Sequence, residues 1–169
     1  MQDPYLQEAT ASEPLTEDEE YEMQKSWAED PKKCTFIVLD AEVVGYRRPA
    51  TCLDAMAGDV NLFLNDPDDA STAEIEVMIA EEKCRRKGLA REALRLLMLY
   101  AVRTLRLRRF VAKIGEGNVA SLKLFQYLGY VEVSRSQAFR EITLEYRVGQ
   151  EEEKLLASQT TGMQTSMYD

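Results

Sequence analysis

The sequence predicts a single-domain α/β (α+β) protein built on a mixed central sheet. Between residues 74 and 130 the pattern runs strand, basic glycine turn, helix, strand, asparagine loop and helix, which is typical of a βαβα unit. Beyond it, segments 130–133 and 139–148 alternate in polarity and predict an antiparallel strand pair that closes the sheet. The chain has 169 residues, 45% of them apolar, which suffices for one sizeable core.

Composition excludes several classes of site. The chain contains no histidine, so Ser-His-Asp catalysis, Cys-His catalysis and histidine metal sites are all excluded. The three cysteines are odd in number and widely spaced, which argues against a disulfide framework and for a reducing, cytoplasmic compartment. No membrane span or secretory signal is visible, and the net charge of −9 disfavours nucleic acid as a partner. We expect no metal, and the oligomeric state stays open.

The N-terminal part begins with a polar segment, residues 1–11, that we expect to be loosely ordered. Thr16 and Glu19 form a capping-box pattern, which predicts a helix from there to about Ala28. Trp27, near the end of this helix, is expected to anchor it to the core, and a role facing the substrate is the alternative.

Two strands and a long connection should follow this helix. The continuous apolar run 34–39 predicts a strand, and segment 59–64 predicts the next one. Segment 41–57 is irregular, and we interpret it as a long loop or splayed hairpin. Such a loop can cover a site or be a tolerated insertion, and we favour the insertion.

The strand predicted over residues 73–80 carries two carboxylates on one face. Glu74 and Glu76 are spaced i, i+2, which places them roughly 7 Å apart on a strand. If this face lines a cleft, repulsion between them would raise one pKa and produce a general base. The alternative is a solvated face or a salt bridge to Arg109 or Lys113.

The basic turn, residues 83–90, connects this strand to a helix with apolar spacing from Leu89 to Ala101. Gly88 lets the backbone approach a ligand or adopt a positive φ. Unpaired N–H groups and the positive end of the helix dipole make such a turn a phosphate site. Residues 83–113 contain 11 Lys or Arg and one acid, and a solvated helix face is an equal alternative for the arginines beyond the turn.

Two motifs in this unit resemble those of the GNAT N-acetyltransferase superfamily. Arg85-x-x-Gly88-x-Ala90 resembles its pyrophosphate loop, and the stretch from Asn118 through Ser121 and Phe125 to "Gly-Tyr" at 129–130 resembles its second signature. Segments TASEPLT, TFIVLDAE, GDVNLFL and EIEVMIAE are similar to the N-acetyltransferase 9 subfamily, and the resemblance covers residues 7–148. It implies the GNAT fold, whose mixed central sheet has a splayed strand pair that binds acetyl-CoA.

The resemblance also implies a set of coenzyme-binding residues. The turn and the neighbouring strand would hold the diphosphate and pantetheine, and the second motif would contact the coenzyme arm. These residues are Met78, Ile79, Arg85, Arg86, Lys87, Gly88, Leu89, Ala90, Asn118, Ser121 and Phe125. Asn118 is equally well explained as a helix N-cap.

The implied chemistry is transfer of an acetyl group from acetyl-CoA to an amine. Glu74 and Glu76 are the candidate bases. Many relatives protonate the departing thiolate with a tyrosine at the position of Phe125, so Ser121 or Tyr130 would have to replace it here.

The subfamily implies the α-amine of protein N-termini as acceptor, with α- and β-tubulin as partners and a microtubule-associated location. We expect residues 12–148 to form an N-terminally shortened GNAT domain and residues 149–169 a frayed helix and disordered polar tail. The strand at 34–39 would then lie at an exposed sheet edge. The alternative function is a catalytically weak or inactive acetyl-CoA-binding or tubulin-associated module.

Overall fold

The computed structural model describes residues 7, 13–45 and 52–166, and contains a six-stranded mixed sheet. The strands are β1 (Lys33–Leu39), β2 (Met56–Phe63), β3 (Thr72–Ile79), β4 (Arg109–Gly115), β5 (Val131–Ser136) and β6 (Glu141–Arg147). The helices are α1 (Glu17–Glu29), α2 (Ala41–Val44), α3 (Leu89–Tyr100), α4 (Val119–Tyr127) and α5 (Gln150–Gln159). The predicted mixed α/β class is confirmed. The predicted loose segment 1–11 lies outside the described residues, except for Gln7.

The sheet consists of two antiparallel halves joined by one short parallel contact. Its order is β1-β2-β3-β4-β6-β5, and only β3 and β4 run parallel. Their pairing covers Thr72–Glu74 against Arg109–Val111, after which the strands separate. The outer edges belong to β1 and β5. The exposed-edge prediction for β1 is therefore confirmed within the described sheet, and Phe36 and Ile37 on that edge are exposed.

Alternation of side chains along the strands separates a core face from a polar face. Ala73 and Ile75 on β3 are buried, whereas Glu74 and Glu76 point to the opposite side, as predicted. The core face packs against α3, whose Leu94 and other apolar residues at helical spacing are buried. The polar face is therefore left free of the main core, and it carries most of the candidate site.

Helix α1 is capped as predicted but does not enter the core. Both hydrogen bonds of the capping box between Thr16 and Glu19 are present. The helix has no buried residue, and Trp27 is 37% exposed. The expectation that Trp27 anchors the helix in the core is therefore wrong. Its ring instead holds the ammonium of Lys33 at 3.2 Å from the ring centroid, a cation–π contact that joins α1 to β1.

The described ends of segment 41–57 are more regular than expected. Asp40 caps the short helix α2 by accepting a hydrogen bond from the backbone N–H of Glu42 at 3.0 Å. At the other end, a 3₁₀ turn at Leu53–Ala55 buries Cys52 and Ala55. The backbone of Asp40 joins the two ends by donating to the carbonyl of Ala55 at 2.8 Å. Residues 46–51 of this segment lie outside the described ranges.

The C-terminal segment contains an ordered helix where a frayed helix and disordered tail were expected. Helix α5 buries Leu156 at 4% exposure within the main core. Arg108 donates to Glu153 at 2.6 Å, and the hydroxyl of Thr160 donates to the carbonyl of Leu156. The expectation of disorder is thus wrong for residues 150–159. Two contacts with distant parts of the chain order this helix: the burial of Leu156 in the core and the ion pair between Arg108 and Glu153.

Helix α5 gives the first testable prediction. Replacing Leu156 by Ala should lower the free energy of unfolding by about 2–4 kcal/mol, because the substitution leaves a cavity in the core. The neighbouring Leu155 is 50% exposed, so its replacement by Ala should change stability by less than about 0.5 kcal/mol. Urea unfolding of both variants measures the difference. Equal, small effects would mean that α5 is not docked on the core.

Candidate functional site

The separation of β3 and β4 opens a cavity of about 1040 Å³. Its walls come from β2, β3, β4, the first turns of α4 and the turn before β6. Because β4 pairs with β3 only up to Glu74, the edge of β3 facing β4 is open in the described sheet from Ile75 onward. An open strand edge beside a cavity can pair with an extended, peptide-like ligand.

Met78 and Ile79 lie at the open end of β3, where the sequence placed the coenzyme arm. Met78 lines the cavity, and the register pairs Asp59 with Met78 and Gly58 with Ile79. A Cβ atom on Gly58 would lie 1.9 Å from the carbonyl oxygen of Met78, so no residue but glycine fits there without moving β3. Gly58 therefore fixes this end of β3, a role that the sequence analysis missed.

The basic turn has the backbone of an anion site. Gly88 is the N-cap of α3 with φ of 91°, and Arg86 also has a positive φ of 63°. No side chain in the described ranges caps the helix, and the N–H groups of its first turn have no intrahelical acceptor. The positive φ proposed for Gly88 is confirmed. Consecutive N–H groups at a helix N-terminus form a concavity that favours a phosphate.

Two of the charged side chains in this turn contact the protein itself. The guanidinium of Arg85 donates to the carbonyls of Ile79 at 3.0 Å and Ala80 at 2.8 Å. The ammonium of Lys87 donates to Asp40 at 3.0 Å and Glu42 at 3.2 Å. The structure therefore gives both side chains contacts that hold the turn, whereas Arg86 is exposed and Gly88, Leu89 and Ala90 are partly exposed.

Glu74 and Glu76 share a face but have different surroundings. Glu74 accepts a 2.6 Å hydrogen bond from the ammonium of Lys113, which is the salt bridge that the sequence left as an alternative. Glu76 makes no hydrogen bond or ion pair within the described part of the chain. Desolvation inside the cavity and repulsion from Glu74 raise the pKa of Glu76, against the attraction of Lys33. The hydrogen bond that Lys113 donates to Glu74 raises the pKa of Lys113.

A polar row beside Glu76 was not found in the sequence. Asn61 is directly opposite Glu76 on β2, and its amide donates to Asp59 while its carbonyl oxygen accepts from Thr35. Burial raises the pKa of Asp59, although the hydrogen bond from Asn61 opposes this. Strict alternation in the β2 sequence would have placed Asp59 and Asn61 on this face, but the apolar run around them obscured it.

Lys33 forms the outer wall of this row. Its ammonium lies between Trp27 and Phe63, at 3.2 and 4.6 Å from the two ring centroids. Desolvation there lowers the pKa of Lys33, although nearby carboxylates oppose the shift. Trp27 lines the cavity, so its position fits the alternative role facing a substrate.

The asparagine motif lies on the opposite wall. Asn118 caps α4 by accepting from the backbone N–H of Ser121 at 3.1 Å, and both residues line the cavity. Phe125 also lines it and packs edge-on against Tyr130 with ring centroids 4.9 Å apart. Tyr130 is fully buried, its hydroxyl donates to the sulfur of Met98 at 3.5 Å, and burial raises its pKa strongly. Tyr130 does not line the cavity, whereas Ser121 does. Of the two hydroxyls that the sequence offered as proton donors, Ser121 is therefore the nearer to the cavity.

Among residues 7, 13–45 and 52–166, no group of three or more Cys, Asp or Glu side chains is arranged to hold a metal ion. No helix in those same ranges has the length and apolar character needed to cross a bilayer.

Comparisons with known proteins agree with this geometry. A family model described as "Acetyltransferase (GNAT) domain" matches residues 1–131. The human protein named Alpha/beta-tubulin-N-acetyltransferase 9 is 49% identical over 168 residues, covering 99% of this chain and 81% of the relative. Its namesake from Drosophila melanogaster is 51% identical, covering 86% of this chain and 74% of the relative. The crystal structure of the Campylobacter jejuni N-acetyltransferase PseH in complex with acetyl coenzyme A has a TM-score of 0.59 at 15% identity, covering 78% and 79% of the two chains.

Replacing Glu76 or Glu74 by Gln should change the free energy of unfolding in opposite directions near neutral pH. Folding raises the pKa of Glu76, so its contribution to stability is greatest at acid pH and is lost as pH rises from the usual glutamate range through the folded pKa. Replacing Glu76 by Gln should therefore stabilise the protein near neutral pH and have little effect near about pH 4. Replacing Glu74 by Gln removes the contact with Lys113 and should destabilise the protein by roughly 0.2–1 kcal/mol near neutral pH.

Urea unfolding of the wild type and both variants at the two pH values provides the measurement. A change of the same sign for both variants at neutral pH would contradict the different surroundings assigned to the two carboxylates.

Proposed function

The chain belongs to the GNAT acetyltransferase family, and from that premise we propose that it transfers the acetyl group of acetyl-CoA to the α-amine of a protein N-terminus. We propose α- and β-tubulin as the acceptors and the cytoplasm as the location. The single observation that carries the proposal is the cavity between β3 and β4, which has a pair of carboxylates on its floor and extends along β3 to Met78. The next residue, Ile79, accepts a hydrogen bond from Arg85 of the basic turn.

The residues around this cavity fit acetyl-CoA. The diphosphate would bind to the N–H groups at Gly88, Leu89 and Ala90, where the helix dipole is positive. The peptide-like pantetheine arm would lie along the open edge of β3 near Met78 and Ile79. Acetyl-CoA supplies an activated acyl group, so the protein has to orient an acceptor amine and take its proton.

Glu76 is the better candidate for the proton acceptor. An α-ammonium group must lose a proton before it can act as a nucleophile, and a carboxylate can accept that proton through a water molecule. The unpaired carboxylate of Glu76 and its raised pKa favour this role. Glu74 forms an ion pair with Lys113 at 2.6 Å, and we propose that its role is to balance the charge of Lys113 at the cavity floor.

The described lining of the cavity offers one hydroxyl to the departing thiolate. Ser121 lines the cavity on the wall formed by α4, and we propose that it donates a hydrogen bond to the sulfur. Phe125 supplies an apolar surface that limits water at the same wall. A thiolate is a tolerable leaving group, so a weak donor is compatible with turnover.

The acceptor class is supported by the relatives and by the local charge. Proteins named Alpha/beta-tubulin-N-acetyltransferase 9 are identical to this chain at about half of the aligned residues. The acceptor side of the cavity carries Asp59, Glu74 and Glu76, which would attract a cationic amine. The rim carries exposed aromatic side chains, Trp27 and Phe139, that a peptide acceptor could contact.

A second candidate function is a coenzyme-binding module without appreciable turnover. It is favoured by Phe125, which cannot donate a proton, and by Tyr130, whose hydroxyl is committed to Met98 inside the core. The two candidates share coenzyme binding and differ only in acetyl transfer.

Coenzyme binding is tested by replacing Gly88 with Trp. The side chain would occupy the concavity in front of the helix N-terminus, so acetyl-CoA affinity measured by calorimetry should fall by at least about 100-fold. Gly162 has a similar φ of 87° with open space around it, so Gly162→Trp imposes comparable backbone strain and should leave affinity unchanged. Equal affinities for the two variants would rule out the basic turn as the coenzyme site.

Acetyl transfer is tested by intact-mass spectrometry on synthetic peptides of the α- and β-tubulin N-termini. The wild type should add one acetyl group at the α-amine. Glu76→Gln should lower kcat by about 100-fold, because general base catalysis is lost, while Glu74→Gln should lower it by less than about tenfold. Coenzyme binding without acetylation of either peptide would support the second candidate or another acceptor, and equal effects of the two variants would exclude Glu76 as the base.

A further inference from the structure

The buried carboxylate of Asp40 lies directly behind the basic turn. Asp40 follows the last residue of β1 and is 2% exposed. Its side chain accepts hydrogen bonds from the ammonium of Lys87 at 3.0 Å, the thiol of Cys84 at 3.6 Å and the backbone N–H of Glu42 at 3.0 Å. Two of these three donors belong to the turn itself, although Asp40 is more than 40 residues away along the chain.

Lys87 is the strongest of these contacts. It lies between two residues with positive φ, Arg86 and Gly88, so its position decides how the turn enters α3. The hydrogen bond from Lys87 lowers the pKa of Asp40, and the hydrogen bonds to Asp40 and Glu42 raise the pKa of Lys87. Both groups therefore stay charged over the physiological range, and the contact is a charge-assisted hydrogen bond to a buried acceptor.

The other end of the turn is held separately. Arg85 fixes it to the carbonyls of Ile79 and Ala80 at the end of β3. The turn is thus attached to β3 through Arg85 and to the end of β1 through Lys87. The N–H groups that would face the coenzyme diphosphate, at residues 88–90, follow directly after the Lys87 attachment.

We propose that Asp40 is a positioning residue for the coenzyme turn: acting through Lys87, it holds residues 86–88 in the conformation that aims the N–H groups of residues 88–90 at the diphosphate. Lys87 is then a structural cation whose charge is matched by Asp40 and Glu42. It is not the group that binds the phosphates. This inference rests on the proposed function only in taking acetyl-CoA as the ligand of the turn.

Two physical arguments support this assignment. A buried carboxylate left without its cation is costly, so the ion pair fixes the distance between the end of β1 and the turn. The Lys87 side chain is only 40% exposed. Releasing it would require moving its ammonium away from two carboxylates and into solvent. A turn held at both ends requires less ordering when a ligand binds, which favours affinity.

The test is a double-mutant cycle on acetyl-CoA binding. Asp40→Asn and Lys87→Met should each weaken binding measured by calorimetry by about tenfold, and the double variant should also be weakened by about tenfold instead of about 100-fold, because both act through one contact. The kcat at saturating acetyl-CoA should change by less than about twofold, since the reacting groups are untouched. Lys83→Met is the matched control: Lys83 lies in the same turn but makes only an exposed contact to Glu81 at 3.9 Å, so its binding should equal that of the wild type.

Three results would overturn the proposal. Tighter binding by Asp40→Asn would mean that freed Lys87 binds the diphosphate directly. Independent, multiplicative losses in the double variant would mean that the two residues act separately, and unchanged binding by both single variants would mean that the ion pair does not position the turn. If Asp40→Asn does not fold, as judged by thermal unfolding, Lys87→Arg decides: near wild-type binding supports the proposal, and a loss equal to that of Lys87→Met contradicts it. Absence of acetyl-CoA binding by the wild type would instead overturn the proposed function.

Discussion

The short parallel contact between β3 and β4 is the constraint on which the site depends. Six residue pairs join β2 to β3 and seven join β4 to β6, but only three join β3 to β4. Each strand therefore follows its antiparallel partner, and the two halves of the sheet part after Glu74 and Val111. The contact is held at its start by hydrogen bonds from the backbone N–H groups of Arg108 and Arg109 to the carbonyl of Ser71. The cavity follows from this divergence.

The turn before β3 is ordered by a carboxylate. Hydrogen bonds from Ser71 and Thr72 keep the neighbouring Asp69 ionised by lowering its pKa to about 2.

Charge is arranged around that opening in two separate ways. At the turn before α3, the side chains of Arg85 and Lys87 contact carbonyl and carboxylate groups of the protein, and the first N–H groups of the helix have no intrahelical acceptor. On the cavity floor, Glu74 is neutralised by Lys113 while Glu76 is left without a partner in the described residues. When two neighbouring carboxylates have different surroundings, one can serve as a structural charge while the other remains available to react. Under the proposed function, the start of α3 would bind the anionic coenzyme and the carboxylates of the cavity floor would attract a cationic amine.

Local patterns in the sequence were sufficient for the central unit. The two strands, the basic turn with Gly88 and the capped helix after Asn118 depend on residues close in the chain, and periodicity and turn chemistry identify them. Features that depend on distant contacts were not accessible in this way. Trp27 has the character of a core residue but packs against Lys33 at the rim, and Leu156 belongs to a largely polar segment but reaches the core. Asp40 and Gly58 acquire their roles only when β1 and β2 are brought next to the turn and to Met78. The glutamate pair was predicted, but which member is unpaired depends on where the Lys113 side chain lies.

The most direct measurement is a crystal structure of the protein with acetyl-CoA bound. The account predicts that the diphosphate oxygens accept hydrogen bonds from the N–H groups of residues 88–90. It also predicts that the pantetheine pairs with the open edge of β3 and that Lys87 remains on Asp40. A coenzyme bound outside the gap between β3 and β4, with that gap filled by side chains, would contradict it.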